Sequence, residues 1–122
     1  MPLAKLGAVV LDCPDPLALA TFYAAVLGGT PKADDEGWVD LEGSGGTPLQ
    51  FQAVPGYVAP QWPDQAHPQQ FHLDLEVPRA ELDAAEKEVL ALGATVLEAD
   101  DRTRSFRVYA DPAGHPFCLC AC

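Results

Sequence analysis

Apolar and polar positions alternate with a period of two in several short runs of this chain and recur at helical spacing in two longer ones. Those two periods set the element plan. In the run from Gln69 to Val77, Phe71, Leu73, Leu75 and Val77 fall on one side and Gln70, His72 and Asp74 on the other, because successive side chains of a strand alternate faces. The apolar set is predicted to cover a core. The polar set faces either water or a cavity. Upstream, Leu6 to Asp12 is short, apolar and β-branched at its middle, which predicts a first strand. Asp15-Pro16 reads as an N-cap with proline at the first helical position, and Leu17, Leu19, Phe22, Tyr23, Val26 and Leu27 carry a helix to Gly28-Gly29. Strands are predicted over 30–33, 38–42 and 48–53, separated by the turn-forming stretches 34–37 and 43–46. Within the last of these, Leu49 and Phe51 share one face while Gln50 and Gln52 share the other. A proline-rich stretch without period, Val54 to Pro68, connects to the Gln69–Val77 strand. A second helix is predicted over Arg79–Leu92 on Leu82, Ala85, Val89, Leu90 and Leu92, with Gly93 as its stop, and strands follow over 95–98, 105–109 and 116–121.

The order strand, helix, strand, strand, strand thus occurs twice. Val26-Leu27-Gly28-Gly29-Thr30 closes the first helix much as Ala91-Leu92-Gly93-Ala94-Thr95 closes the second, the mark of an internal duplication. A half of about 60 residues is too small to bury a core alone. The predicted fold is α+β: one domain spanning 1–122, built of two tandem βαβββ modules (1–53 and 70–122, joined by a linker over 54–69) whose curved antiparallel sheets surround a central cleft. The faces assigned above place Ala8, Gln50, Gln52, His72, Asp74, Cys118 and Cys120 along that cleft, with Tyr57 and Trp62 on the loop leading to it. Aromatic walls with a few convergent polar groups hold organic ligands, and a loop aromatic can equally cover a sheet edge.

Composition narrows the function classes. With 122 residues and 48% hydrophobic content the chain has one domain's length and ample apolar material for one core. Eighteen acidic residues against seven basic ones leave a formal charge of -11, which repels phosphate backbones and anionic membrane surfaces. No nucleic-acid or membrane partner is expected. No apolar run reaches the roughly 20 residues that span a bilayer, and Met1 to Lys5 lacks the apolar core of a signal peptide, so a cytoplasmic location is expected. Cys118, Cys120 and Cys122 alternate along the last strand with Cys13 far away, a poor disulfide framework. The expectation is reduced cysteines acting as small buried hydrophobes, a soft-metal or redox site being the other reading.

Val10-Leu11-Asp12-Cys13-Pro14-Asp15-Pro16, Phe22-Tyr23 with Leu27-Gly28, Phe71-His72-Leu73-Asp74-Leu75 and Asp111-Pro112-Ala113-Gly114-His115-Pro116-Phe117 together resemble the vicinal oxygen chelate superfamily, the glyoxalase and bleomycin-resistance group, over nearly the whole chain. The resemblance implies a divalent metal held by one residue on each of the first, fourth, fifth and eighth strands. Those places fall on Ala8, Gln50, His72 and Cys118. Ala8 has no ligand atom, Gln50 offers a neutral amide oxygen and Cys118 a soft sulfur, so no metal cofactor is expected, zinc being the ion such mixed donors would tolerate. Asp74 can act as a base if desolvation raises its pKa, or it can be a carboxylate satisfied by neighbouring donors. His115 reads as a turn residue and His67 as an exposed one.

Two functions are carried forward. The first is a metal-independent protein binding a small organic molecule through Gln50, Gln52, Tyr57, Trp62, His72, Asp74 and Cys118. The second is a lyase, isomerase or dioxygenase that binds a metal through His72 with Gln50 and Cys118. A homodimer is expected, because small duplicated sheets leave edges that pair.

Overall fold

A computed structural model describes residues 6–98 and 105–121. The expectations about Met1 to Lys5 and about Cys122 lie outside the described residues. Asp15 has extended backbone and its carboxylate accepts a hydrogen bond from the Ala18 amide at 3.1 Å. Helix α1 (Pro16–Leu27) therefore begins at the predicted cap. It ends at the predicted glycines: the Gly28 amide donates to the Ala24 carbonyl at 2.9 Å. Gly29 has φ +94, and a Cβ there would lie 2.6 Å from the Glu42 carbonyl oxygen, so the first helix returns to the sheet through a position only glycine fits.

The strands are β1 (Val9–Cys13), β2 (Thr30–Ala33), β3 (Trp38–Glu42), β4 (Leu49–Ala53), β5 (Leu73–Glu76), β6 (Thr95–Glu98), β7 (Phe106–Ala110) and β8 (Pro116–Cys120). They form two four-stranded sheets, ordered β1-β4-β3-β2 and β5-β8-β7-β6. In each sheet three strands run antiparallel as expected, and the first strand of each module is parallel to its last, which makes both sheets mixed. The α+β plan of two tandem βαβββ modules is present in full. Chain contacts divide it into two compact units, Met1–Tyr57 and Val58–Cys122, the division falling inside the proline-rich connection.

In the first unit, α1 buries Leu19, Ala20, Phe22 and Tyr23 while the sheet buries Leu11, Cys13, Val39, Leu41, Leu49 and Phe51. Tyr23 stacks on Phe51 with ring centroids 5.9 Å apart. In the second, a single 3-10 turn (Arg79–Glu81) leads into helix α2 (Leu82–Ala91), so the predicted helix is α-helical only from Leu82. Tyr109 and Phe117 stack at 5.5 Å on the face that carries Arg107. The Arg107 guanidinium reaches α2, donating to Asp83 at 2.8 Å and lying 3.6 Å from Glu86, and the Tyr109 hydroxyl donates to Glu86 at 2.8 Å. Asp111 is buried and accepts from the amides of Ala113 and His115, which makes the β7–β8 connection a side-chain-capped turn.

Two expectations need correction. The strand predicted from Gln69 to Val77 contains only Leu73–Glu76, and Phe71 is 68% exposed instead of facing a core. The partner β8 begins at Pro116, opposite nothing upstream of Leu73, so the alternation read before Leu73 has no sheet to project from. Cys13 and Cys118 are free thiols as expected, but Cys120 is disulfide-bonded instead of reduced.

Candidate functional site

The sheet register of the second unit assembles the site. Asp74 on β5 pairs with Cys118 on β8, which pairs with Val108 on β7, so these three side chains share one row and one face. Phe106 and Cys120 occupy the neighbouring row. The opposite face holds Leu73, Leu75, Phe117, Leu119, Arg107 and Tyr109 by the same alternation. A hollow of about 290 Å³ lies on the first face, bordered by Trp62, Gln69, His72, Asp74, Phe106, Val108, Pro116, Cys118 and Cys120. It is small, near the lower end of the range for small-molecule sites.

Four of the seven residues expected at the site meet here: Trp62, His72, Asp74 and Cys118. His72 Nε2 lies 3.2 Å from Asp74 Oδ1, and both side chains are substantially exposed. Cys118 is buried beside them. One ligand atom each from His72, Asp74 and Cys118 lies within 4.8 Å of the others. The Cys118 thiol is pushed up to about 11, first by burial, then by the Asp74 carboxylate and its hydrogen bond, and last by the charge of Glu98. Gln50, Gln52 and Tyr57 belong to the first unit. There the two amides lie on the sheet face that also holds Val10, Asp12, Trp38 and Asp40, the face opposite Leu49 and Phe51, as the alternation predicted. Gln50 also borders a hollow of about 330 Å³ within that unit, beside Asp40 and the loop 43–46. Tyr57 is half-buried.

The registers also equate the two halves. Val10 pairs with Gln50 in one sheet as Asp74 pairs with Cys118 in the other. The two sheets thus share one topology and carry different side chains at these positions.

A family model for the glyoxalase-like domain matches residues 8–120. The chain belongs to the glyoxalase-like domain family. No curated protein matches this glyoxalase-like chain. Among solved structures it is similar to a glyoxalase/bleomycin resistance protein/dioxygenase family enzyme from Burkholderia phytofirmans PsJN, with 19% identity, a TM-score of 0.72 and coverage of 95% of this chain and 97% of that one. It is also similar to the fosfomycin resistance protein FosX of Mesorhizobium loti (12% identity, TM-score 0.73, coverage 99% and 94%). A FosX variant from Listeria monocytogenes, solved with Mn(II) and 1S,2S-dihydroxypropylphosphonic acid, matches with 13% identity, a TM-score of 0.71 and coverage of 98% and 91%. At these identities the likeness is one of fold.

The donor set of the glyoxalase-like chain can be tested against the metal such a fold implies. His72, Asp74 and Cys118 offer a nitrogen, an oxygen and a sulfur, a combination zinc accepts with one position left open. Asp74 also supplies a charge that the set Ala8, Gln50, His72 and Cys118 lacked. The residues fit a borderline ion, provided the ion displaces the Cys118 proton. Sequence reading missed Gln69, Phe106, Val108 and Pro116 at the hollow. Alternation groups Phe106 with Val108, but nothing local says that this pair faces the hollow while Arg107 faces a helix.

Proposed function

We propose that this protein binds a small organic molecule in the second-unit hollow without requiring a metal. The observation that carries the reading is the combination in one concave site of an aromatic side chain, Trp62, with the convergent polar groups of Gln69, His72 and Asp74, the arrangement by which pockets hold and orient ligands. Metal-stripped protein screened by thermal shift against a metabolite library should give ligands whose stabilisation survives chelator. Loss of every hit on adding chelator would overturn the metal-independent reading. His72→Ala should weaken a confirmed ligand by about 0.5–1.5 kcal/mol, the net worth of a hydrogen bond at a part-exposed side chain, read by calorimetric titration. Gln50, Gln52 and Tyr57 remain proposed ligand contacts, and their alanine variants in the same titration decide the matter. Unchanged affinity removes each from the site.

The spacing of His72, Asp74 and Cys118 within 4.8 Å favours a second reading, a metal-dependent lyase, isomerase or dioxygenase. A divalent ion held there would supply Lewis-acid polarisation of a chelating substrate. His72, Asp74 and Cys118 would hold that ion and position a substrate bound at its open coordination site. Elemental analysis of protein purified without added metal tests it, and bound metal unchanged by His72→Ala would count against it.

A further inference from the structure

We propose that the second-unit hollow selects a primary ammonium group carried on a flat apolar body, the ammonium resting against Asp74 and Gln69 and the body against Trp62 and Phe106. This names the ligand chemistry of the small-molecule reading above and rests on it. Charge is the first argument. Among the described residues bordering the hollow there is a carboxylate, Asp74, and no lysine or arginine. His72 is the one base, and it already sits 3.2 Å from one Asp74 oxygen. Asp74 is 60% exposed, which leaves its carboxylate room for a further donor. The register adds a second acid. A bulge at Leu97 shifts β6 so that Glu98 pairs with Val108, and Val108 pairs with Cys118, which pairs with Asp74. Glu98 and Asp74 therefore end the same cross-strand row, one on each side of Cys118.

Hydrogen-bond supply points the same way. Gln69 borders the hollow, and its Oε1 is buried without a donor, so a turn of this side chain toward the hollow would exchange an unsatisfied acceptor for one that an ammonium satisfies. An ammonium brings three N–H donors and no acceptor. A carboxylate or phosphonate ligand would bring only acceptors to a site already rich in them. The remaining lining, Trp62, Phe106, Val108 and Pro116, is apolar, and aromatic faces attract cations further.

The test uses the full chain in chelator at about pH 8, where the amine probe is charged, titrated calorimetrically with 3-phenylpropylamine, 3-phenylpropanamide and 3-phenylpropionate. These share one body and differ in the charge of the head group. The amine should bind at least roughly tenfold more tightly than the amide, with the propionate weakest. Asp74→Asn should bring amine and amide to within about threefold of each other, the loss falling mainly on the amine. Amide or propionate binding as tightly as the amine would overturn the cation preference and leave the pocket standing. No binding by any of the three at about 10 mM would overturn the ammonium proposal, the library screen deciding the small-molecule reading separately.

Discussion

At Cys118 a single thiol reports the field of its surroundings. Its ordinary value is 9.0, and burial with the Asp74 and Glu98 carboxylates raises it to about 11. The unfolded chain therefore releases this proton first, so the stability contribution is complete below about pH 9 and is lost as pH rises to about 11. Denaturation by urea across that window should show the decline, and Cys118→Ala should remove this group's share of it. Alkylation of Cys118 should be slow at neutral pH and faster in Asp74→Asn, as followed by mass spectrometry of the Cys118 peptide. At Gly29 the constraint is steric instead. Gly29→Ala places a methyl against the backbone of Glu42 and Ser44 at a positive φ and should cost more than about 2 kcal/mol. Gly7→Ala, with nothing within 4 Å, should stay within about 0.5 kcal/mol of the parent in the same urea titration.

The elements of the second unit show why one face of β7 could not be read from its letters. Alternation along Phe106-Arg107-Val108-Tyr109 separates an apolar pair from a polar one, and the usual expectation sets the apolar pair against the helix. Here Arg107 and Tyr109 face α2 because Asp83 and Glu86 on that helix receive them, and Phe106 and Val108 are left to the hollow. The two acids are not equivalent. Glu86 is 17% exposed and serves both Arg107 and Tyr109, whereas Asp83 is 85% exposed. Glu86→Ala should destabilise by about 1–3 kcal/mol because it leaves the buried Tyr109 hydroxyl without its acceptor and takes one of two carboxylates from the buried Arg107, and Asp83→Ala by at most about 1 kcal/mol because solvent screens that pair. Equal losses in chemical denaturation would contradict this assignment. The bulge in β6 is a second feature beyond the reach of periodicity. One extra residue, Leu97, moves Glu98 onto the row of Cys118, and only the pairing with β7 reveals it.

For the whole molecule, each unit has the length of a half-domain, and a body of about 60 residues is marginal by itself. The single-domain proposal therefore predicts one cooperative calorimetric transition for the full chain, with two resolved transitions as the contrary result. The proposed homodimer predicts sedimentation as a dimer at micromolar concentration, and a monomer there would contradict it. No helix among the described residues is long and apolar enough to cross a membrane. What the sequence by itself determined was the repeated βαβββ order, the capped start and glycine stop of α1, and the shared face of Asp74 and Cys118, because these depend on local periodicity and on backbone preferences carried by single residues. Tertiary structure alone decided the parallel pairing of β5 with β8, the loss of Phe71 from the sheet, the arrival of Gln69 at the hollow and of Glu98 on the row of Cys118, and the burial of Arg107 under α2. Those outcomes depend on which strand lies next to which, and strand partners are chosen by packing across distances that no local pattern encodes.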